Sequence, residues 1–262
     1  MRFTKMNGLG NDYIFIDTKE EKIKLSKKEI IRLCDRNFGI GGDGVVLLEK
    51  SAICTLKMII FNSDGSRAEI CGNALRCAAK YAFDKGISKE RELSVETDAG
   101  QRMLAVLDNG FIRVDMGVGI VDLNPKTFFN EEINGYYVNV GNPHFVVFCK
   151  TIDRRNKLFD AYAKSISEER TVFPNGTNVE FVVIDEKENE LNVRVFERGS
   201  NETLACGTGA TAVFSVACKL KMIKNQAKVI LKGGTLTFFQ DEKKHIIMIG
   251  KADYNFSGET IE

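Results

Sequence analysis

The sequence predicts an α+β protein built from two similar, pseudo-symmetric domains, and three observations carry that prediction. Short alternating segments outnumber helical ones, one long segment recurs half a chain later without a gap, and two Ala-rich helical stretches begin at the same point of that repeat. LKMIIFNSDGSRAEICGN from Leu56 to Asn73 aligns with LNVRVFERGSNETLACGT from Leu191 to Thr208 at an offset of 135 positions. Weaker echoes keep the same order: GNDYIFI from Gly10 with GNPHFVV from Gly141, and GDGVVLL from Gly42 with GTNVEFV from Gly176, at offsets of 131 and 134. The duplication predicts a first domain over residues 1–116, joined by the C-terminal segment 251–262, and a second over 117–250. Each is expected to be a mixed or antiparallel sheet wrapped around a central helix, with the active-site cleft between the two domains.

Taken along the chain, alternation predicts strands at 12–17, 55–61, 111–116, 136–140, 144–149, 179–184, 191–197, 228–232 and 245–249, and a further strand at Val45 to Leu48. A helix is predicted at 26–36, where Ser26 can cap and Glu29 completes a capping box, and another at 154–167. The remaining two run over 73–85 and 208–222. They are rich in good helix formers with apolar residues on both faces, as expected of helices enclosed by sheet.

Composition removes several function classes. The 262 residues carry 37 Lys plus Arg against 36 Asp plus Glu, a net charge of +1, so no electrostatic case exists for nucleic acid or an anionic membrane as partner. No apolar run approaches the roughly 18 to 20 residues of a membrane span, and the start, MRFTKMNGLG, lacks a signal-peptide apolar region. A cytoplasmic location is expected. Seven cysteines are an odd number without the spacing of a disulfide scaffold and read as reduced thiols. There is no CxxC and no HExxH, and the two histidines, His144 and His245, lie far apart, so no metal site is predicted.

GIGGDG from Gly39 to Gly44 satisfies GxGxxG literally, yet a helix precedes it and a strand follows, the reverse of a dinucleotide fingerprint. It reads as a glycine turn. GTGATA after Cys206 opens a helix but follows a loop of about nine residues rather than a tight strand-to-helix turn. Nothing resembles a P-loop, and no lysine context marks a Schiff base.

Cys71 and Cys206 differ in kind from the other cysteines, because each sits at a predicted helix N-terminus with glycine next. The positive end of the helix dipole favours a thiolate there. Backbone N–H groups of Gly72, Asn73, Gly207 and Thr208 are placed to cradle a carboxylate or its enolate-like form. Two such half-sites suit a reaction in which a proton leaves one face of a carbon and another arrives on the opposite face. Cys34, Cys54, Cys77, Cys149 and Cys218 read instead as small hydrophobes. Asn62 follows the strand before Cys71, and Glu197 and Arg198 follow the equivalent strand before Cys206. An Arg can hold a carboxylate and a Glu an ammonium, or the two can form a loop ion pair. Asn11, Asn142 and Asn178 read equally as turn formers or ligands.

The blocks MNGLGNDYIFID from Met6, RNFGIGGDGV from Arg36, NSDGSRAEICGNALRC from Asn62, GNPHFVV from Gly141, GTNVEFV from Gly176 and ERGSNETLACGTGATA from Glu197 together resemble the diaminopimelate epimerase family of cofactor-independent amino-acid racemases and epimerases. The resemblance spans the whole chain. It implies interconversion of LL- and meso-2,6-diaminopimelate, a small diamino dicarboxylate on the lysine and cell-wall precursor route, without pyridoxal phosphate or metal. It further implies Cys71 and Cys206 as the thiol pair, with Gly72, Asn73, Gly207 and Thr208 at the reacting carboxylate. Asn11, Asn62, Asn142, Asn178 and Arg198 would hold the distal groups, with Glu197 near an ammonium and His144 lining the site. Two α+β domains closing on the substrate, and a homodimer, are implied as well. Ala74 stands where glycine is usual, Asn201 likewise, and Gly44 where some members have glutamine. A racemase of another amino acid using the same cysteines, and a non-catalytic binding module for such a substrate, are the alternatives; the Glu197 and Arg198 pair speaks against the first and the intact cysteine pair against the second.

Overall fold

The computed structural model describes residues 1–19 and 23–261. The chain forms two compact units, Met1–Asp115 with Gly250–Glu262, and Met116–Ile249.

The first unit contains β1 (Arg2–Gly8), β2 (Asn11–Asp17), α1 (Lys27–Cys34), β3 (Gly44–Glu49), β4 (Leu56–Asn62), β5 (Arg67–Ala68), α2 (Gly72–Asp84), β6 (Glu92–Thr97), β7 (Gly100–Val106) and β8 (Ile112–Asp115). The second contains β9 (Ile120–Val121), β10 (Lys126–Phe128), β11 (Ile133–Asn139), β12 (Pro143–Cys149), α3 (Ile152–Ser167), β13 (Asn178–Asp185), β14 (Glu190–Glu197), β15 (Asn201–Glu202), α4 (Gly207–Lys219), β16 (Gln226–Leu231), β17 (Gly234–Gln240) and β18 (Ile246–Gly250). The chain then returns to the first unit as β19 (Asp253–Glu259), which pairs antiparallel with β1.

Pairing repeats from one unit to the next. β2 runs parallel to β3 and β12 parallel to β13, with Tyr13 opposite Gly44 and His144 opposite Asn178. β3 and β4, like β13 and β14, are antiparallel neighbours. β4 then pairs parallel with β6, and β14 with β16. Antiparallel β6–β7 and β7–β8 are matched by β16–β17 and β17–β18.

Local chemistry explains the helices. Ser26 and Glu29 form the reciprocal capping box at the start of α1. That helix stops at Cys34, two residues short of the expected end, because Asp35 is extended at φ −61°, ψ 124°. Thr151 caps α3 by accepting from the Arg154 N–H. α4 ends at Lys219 rather than 222, since Lys221 takes a left-handed φ of 57° that a right-handed helix cannot continue. In α2, Gly72 to Ala79 are all buried, and so is every residue of α4 from Gly207 to Ala217. α2 packs on β1, β4, β6, β7 and β8, and α4 on β9, β11 to β14, β16 and β17. Each fully buried Val213, Phe214 or Val216 side chain contributes on the order of 1.5–3 kcal/mol. Both helices are thereby fixed at the centre of their units. Among the described residues no helix is long and apolar enough to cross a membrane.

Candidate active site

Cysteine occupies the N-cap of both central helices. Cys71 at φ −141°, ψ 118° and Cys206 at φ −124°, ψ 111° are extended, so each side chain turns back over the first helical turn. Their sulfurs accept from the third N–H of the helix, that of Ala74 at 3.5 Å and of Gly209 at 3.3 Å. A sulfur in this place takes the role an oxygen plays in an ordinary cap and lies at the positive end of the dipole. The first turns, beginning at Gly72 and Gly207, leave backbone donors that the helices themselves do not use.

In the first unit the Tyr13 hydroxyl donates to Cys71 Sγ at 3.1 Å, and that thiol lies 3.6 Å from Asn11 Oδ1. Asn73 Nδ2 donates to the same Asn11 oxygen at 2.9 Å, and Asn11 Nδ2 to Asp43 Oδ2 at 2.7 Å. Behind them lies fully buried Arg76, whose guanidinium donates to Asn73 Oδ1, to Gly72 O and to Lys251 O. Burial pulls the Arg76 guanidinium down from its usual value, and the thiols of Cys77 and Cys71 act in the opposite sense. Asn11, Cys71, Gly72 and Asn73 thus form one cluster. Asn62 stands outside it, half-buried at the end of β4 and donating to Ser66 Oγ at 3.0 Å.

In the second unit Cys206 Sγ lies 3.4 Å from Thr208 Oγ1, and Asn142 Nδ2 donates to that hydroxyl at 3.3 Å. The Asn142 oxygen faces His144 Nε2 at 3.0 Å, and His144 Nδ1 meets Glu180 Oε1 at 2.7 Å. A buried carboxylate, a ring, an amide and a hydroxyl therefore run in series to the sulfur. Glu197, at the end of β14, accepts from the Thr203 hydroxyl and lies near enough to the Cys206 thiol to act on it electrostatically. Burial pushes the Glu197 carboxyl up, and burial with the charges of Glu197 and Glu180 pushes the Cys206 thiol well above its usual value. Burial and the two carboxylates thus disfavour the thiolate form of Cys206. Asn178 and Arg198 form a separate pair: Asn178 Oδ1 accepts from the Arg198 backbone N–H at 2.9 Å, while the Arg198 side chain donates to Asn175 O at 2.7 Å.

Sequence reasoning passed over Tyr13, Asp43, Arg76, Glu180 and Thr203. Glu180 left one trace, a carboxylate in the middle of the apolar run NVEFVV. It also explains Gly209, where a Cβ would stand 2.6 Å from Glu180 Oε1. At the corresponding place in α2 the chain carries Ala74, fully buried.

The fold and the two cysteine-capped helices define the chain as a two-domain α+β protein of the racemase and epimerase type. Its architecture is shared with a hydroxyproline epimerase from Agrobacterium vitis solved with trans-4-hydroxy-L-proline, at a TM-score of 0.73 and 14% identity over 98% of this chain and 91% of the other. A phenazine biosynthesis protein of the PhzF family from Bacillus anthracis is also similar in fold, at a TM-score of 0.73 and 17% identity over 100% of this chain and 99% of the other. The family model described as diaminopimelate epimerase matches residues 3–120 and 136–255. The diaminopimelate epimerase of Methanococcus maripaludis strain S2 is 41% identical, with 99% of each chain covered, and that of Acetivibrio thermocellus 40% identical, covering 99% of this chain and 98% of the relative. The chain belongs to the diaminopimelate epimerase family.

Proposed function

We propose that the protein interconverts LL- and meso-2,6-diaminopimelate by a two-thiol proton transfer in which Cys71 and Cys206 serve opposite faces of the α-carbon. The observation that supports this most is the repeated cap: the same residue, with the same helix N–H on its sulfur, at equivalent points of a duplicated fold. Relatives at about 40% identity over the whole chain carry that name, which supports the substrate.

In the scheme, the thiolate of Cys71 takes the α-proton and the electron pair passes into the carboxylate. The Cys206 thiol then delivers its proton to the other face. The next turnover in the reverse direction starts from the opposite protonation state. Backbone donors at Gly72, Asn73, Gly207 and Thr208 hold the carboxylate as charge develops on it. Glu197 receives the ammonium, and Arg198 with Asn11, Asn62, Asn142 and Asn178 receives the distal end, while His144 lines the site. The first and second units are proposed as the two epimerase domains, acting in the cytoplasm as a homodimer. The cysteines form no disulfide among the described residues, in keeping with a reducing compartment.

The test is proton NMR in D₂O with LL- and meso-diaminopimelate and a panel of other amino acids. Exchange and epimerisation confined to diaminopimelate is the expected result; exchange on another amino acid alone would overturn the substrate assignment.

A further inference from the structure

The repeat that aligns Cys71 with Cys206 also aligns Tyr13 with His144, since GNDYIFI and GNPHFVV start at Gly10 and Gly141. The fold keeps the equivalence. Both residues lie near the start of a strand that runs parallel to its neighbour, Tyr13 opposite Gly44 and His144 opposite Asn178. In the second unit the ring reaches its cysteine through Asn142 and Thr208. In the first unit the longer phenol reaches it directly: Tyr13 is 6% exposed and its hydroxyl stands 3.1 Å from Cys71 Sγ.

We propose that Tyr13 is a positioning residue for the reaction, a dedicated hydrogen-bond donor that holds the Cys71 sulfur and stabilises it as a thiolate. This rests on the assignment of Cys71 as a proton-transfer group. A hydroxyl aimed at a sulfur is worth more when the sulfur is charged, because hydrogen bonds to ionised partners are the stronger ones. The remaining groups around Cys71 act on the same charge. From α2 come the buried guanidinium of Arg76 and the thiol of Cys77. From β2 comes Asn11, which is held in turn by Asp43 from the segment before β3. From β2 as well, the Tyr13 hydroxyl donates directly to the sulfur.

Gly44 makes the arrangement possible. A Cβ at that position would stand 2.2 Å from Phe61 O and 3.0 and 3.2 Å from Cε1 and Cδ1 of the Tyr13 ring. The absence of a side chain at position 44 and the phenol at position 13 therefore belong together, which gives Gly44 a role beyond that of a turn residue.

The test uses the full-length protein and Tyr13→Phe, which removes the hydroxyl and keeps the ring. Iodoacetamide modification of the Cys71 peptide, followed by mass spectrometry across pH, reads the thiolate without any substrate. Loss of the donor is expected to move that profile upward by about one pH unit, a tenfold loss of thiolate on its acid side. The Cys206 peptide should be unaffected, and kcat/KM on diaminopimelate should fall about tenfold with its acid limb displaced the same way. Superimposable Cys71 profiles would overturn the proposal. A displaced profile in a protein that does not turn over diaminopimelate would support the role of Tyr13 while overturning the substrate assignment.

Discussion

Glu180 Oε1 lies 2.7 Å from His144 Nδ1, and neither side chain has exposed surface. The other Glu180 oxygen has no hydrogen-bond partner among the described residues, so the ring is the carboxylate's side-chain contact. Removing one member of a buried hydrogen-bonded pair leaves the other unsatisfied, at a cost of about 1–3 kcal/mol. Glu180→Ala is therefore expected to lower the stability by that amount in urea unfolding. Glu180→Gln, which keeps shape and loses charge, should fold, lose less stability and turn over about tenfold more slowly. Equal stability of Glu180→Ala and the unaltered protein would contradict the pairing.

Cys206 and Glu197 make a second prediction. Burial first, then the carboxylates of Glu197 and Glu180, keep the Cys206 proton on well above the ordinary thiol range. Its alkylation should be negligible at neutral pH and rise only in strongly alkaline solution. Glu197→Gln removes one negative neighbour, so the onset of labelling should move to lower pH. Rapid labelling of Cys206 at pH 7 in the unaltered protein would show that the carboxylates do not act as described.

A third concerns the buried charge beneath the glycine turn. Lys5 Nζ lies 2.6 Å from Asp12 Oδ2, and the Lys5 side chain is 5% exposed. Burial would raise the Asp12 carboxyl, yet the hydrogen bonds from Arg36 and Lys5, with their charges, outweigh it and hold it below the usual aspartate value. A depressed folded value means that Asp12 adds stability above the unfolded value near 4, and that this is lost as pH falls through the folded one. Asp12→Asn should lower stability by about 3–5 kcal/mol at neutral pH and flatten the acid limb of a stability profile below about pH 4. An unchanged acid limb would remove Asp12 from that role.

Asn201 has φ of 62°, in the left-handed region where glycine is free of strain and Asn is tolerated. On backbone grounds the position therefore suits glycine or asparagine. Asn201→Gly should lie within about 1 kcal/mol of the unaltered protein, whereas Asn201→Ala should be destabilised by about 1–2 kcal/mol, as thermal unfolding can show.

How legible the molecule was follows from the same residues. The central helices and their cysteine caps were readable because a gapless repeat marks them twice. β1 was not, since RFTKMNG places Lys5 inside, where it is satisfied by Asp12 and the Gly41 carbonyl, partners that alternation cannot reveal. β19 escaped because most of its side chains are exposed and its pairing to β1 joins the two ends of the chain. β6, β7 and β17 were missed as well. Glu180 lies in a strand packed against both α3 and α4, so a position that alternation assigns to solvent is enclosed. Tyr13 lies in an alternating strand, and nothing in that alternation marks a hydroxyl directed at the Cys71 sulfur.

The most direct test of the two-thiol account follows epimerisation of LL-diaminopimelate in D₂O for the unaltered protein and for Cys71→Ala and Cys206→Ala, with reductant present and circular dichroism to verify folding. The account predicts epimerisation with solvent deuterium entering at the α-carbon, and its loss in both folded single variants. Normal turnover in either one would contradict it.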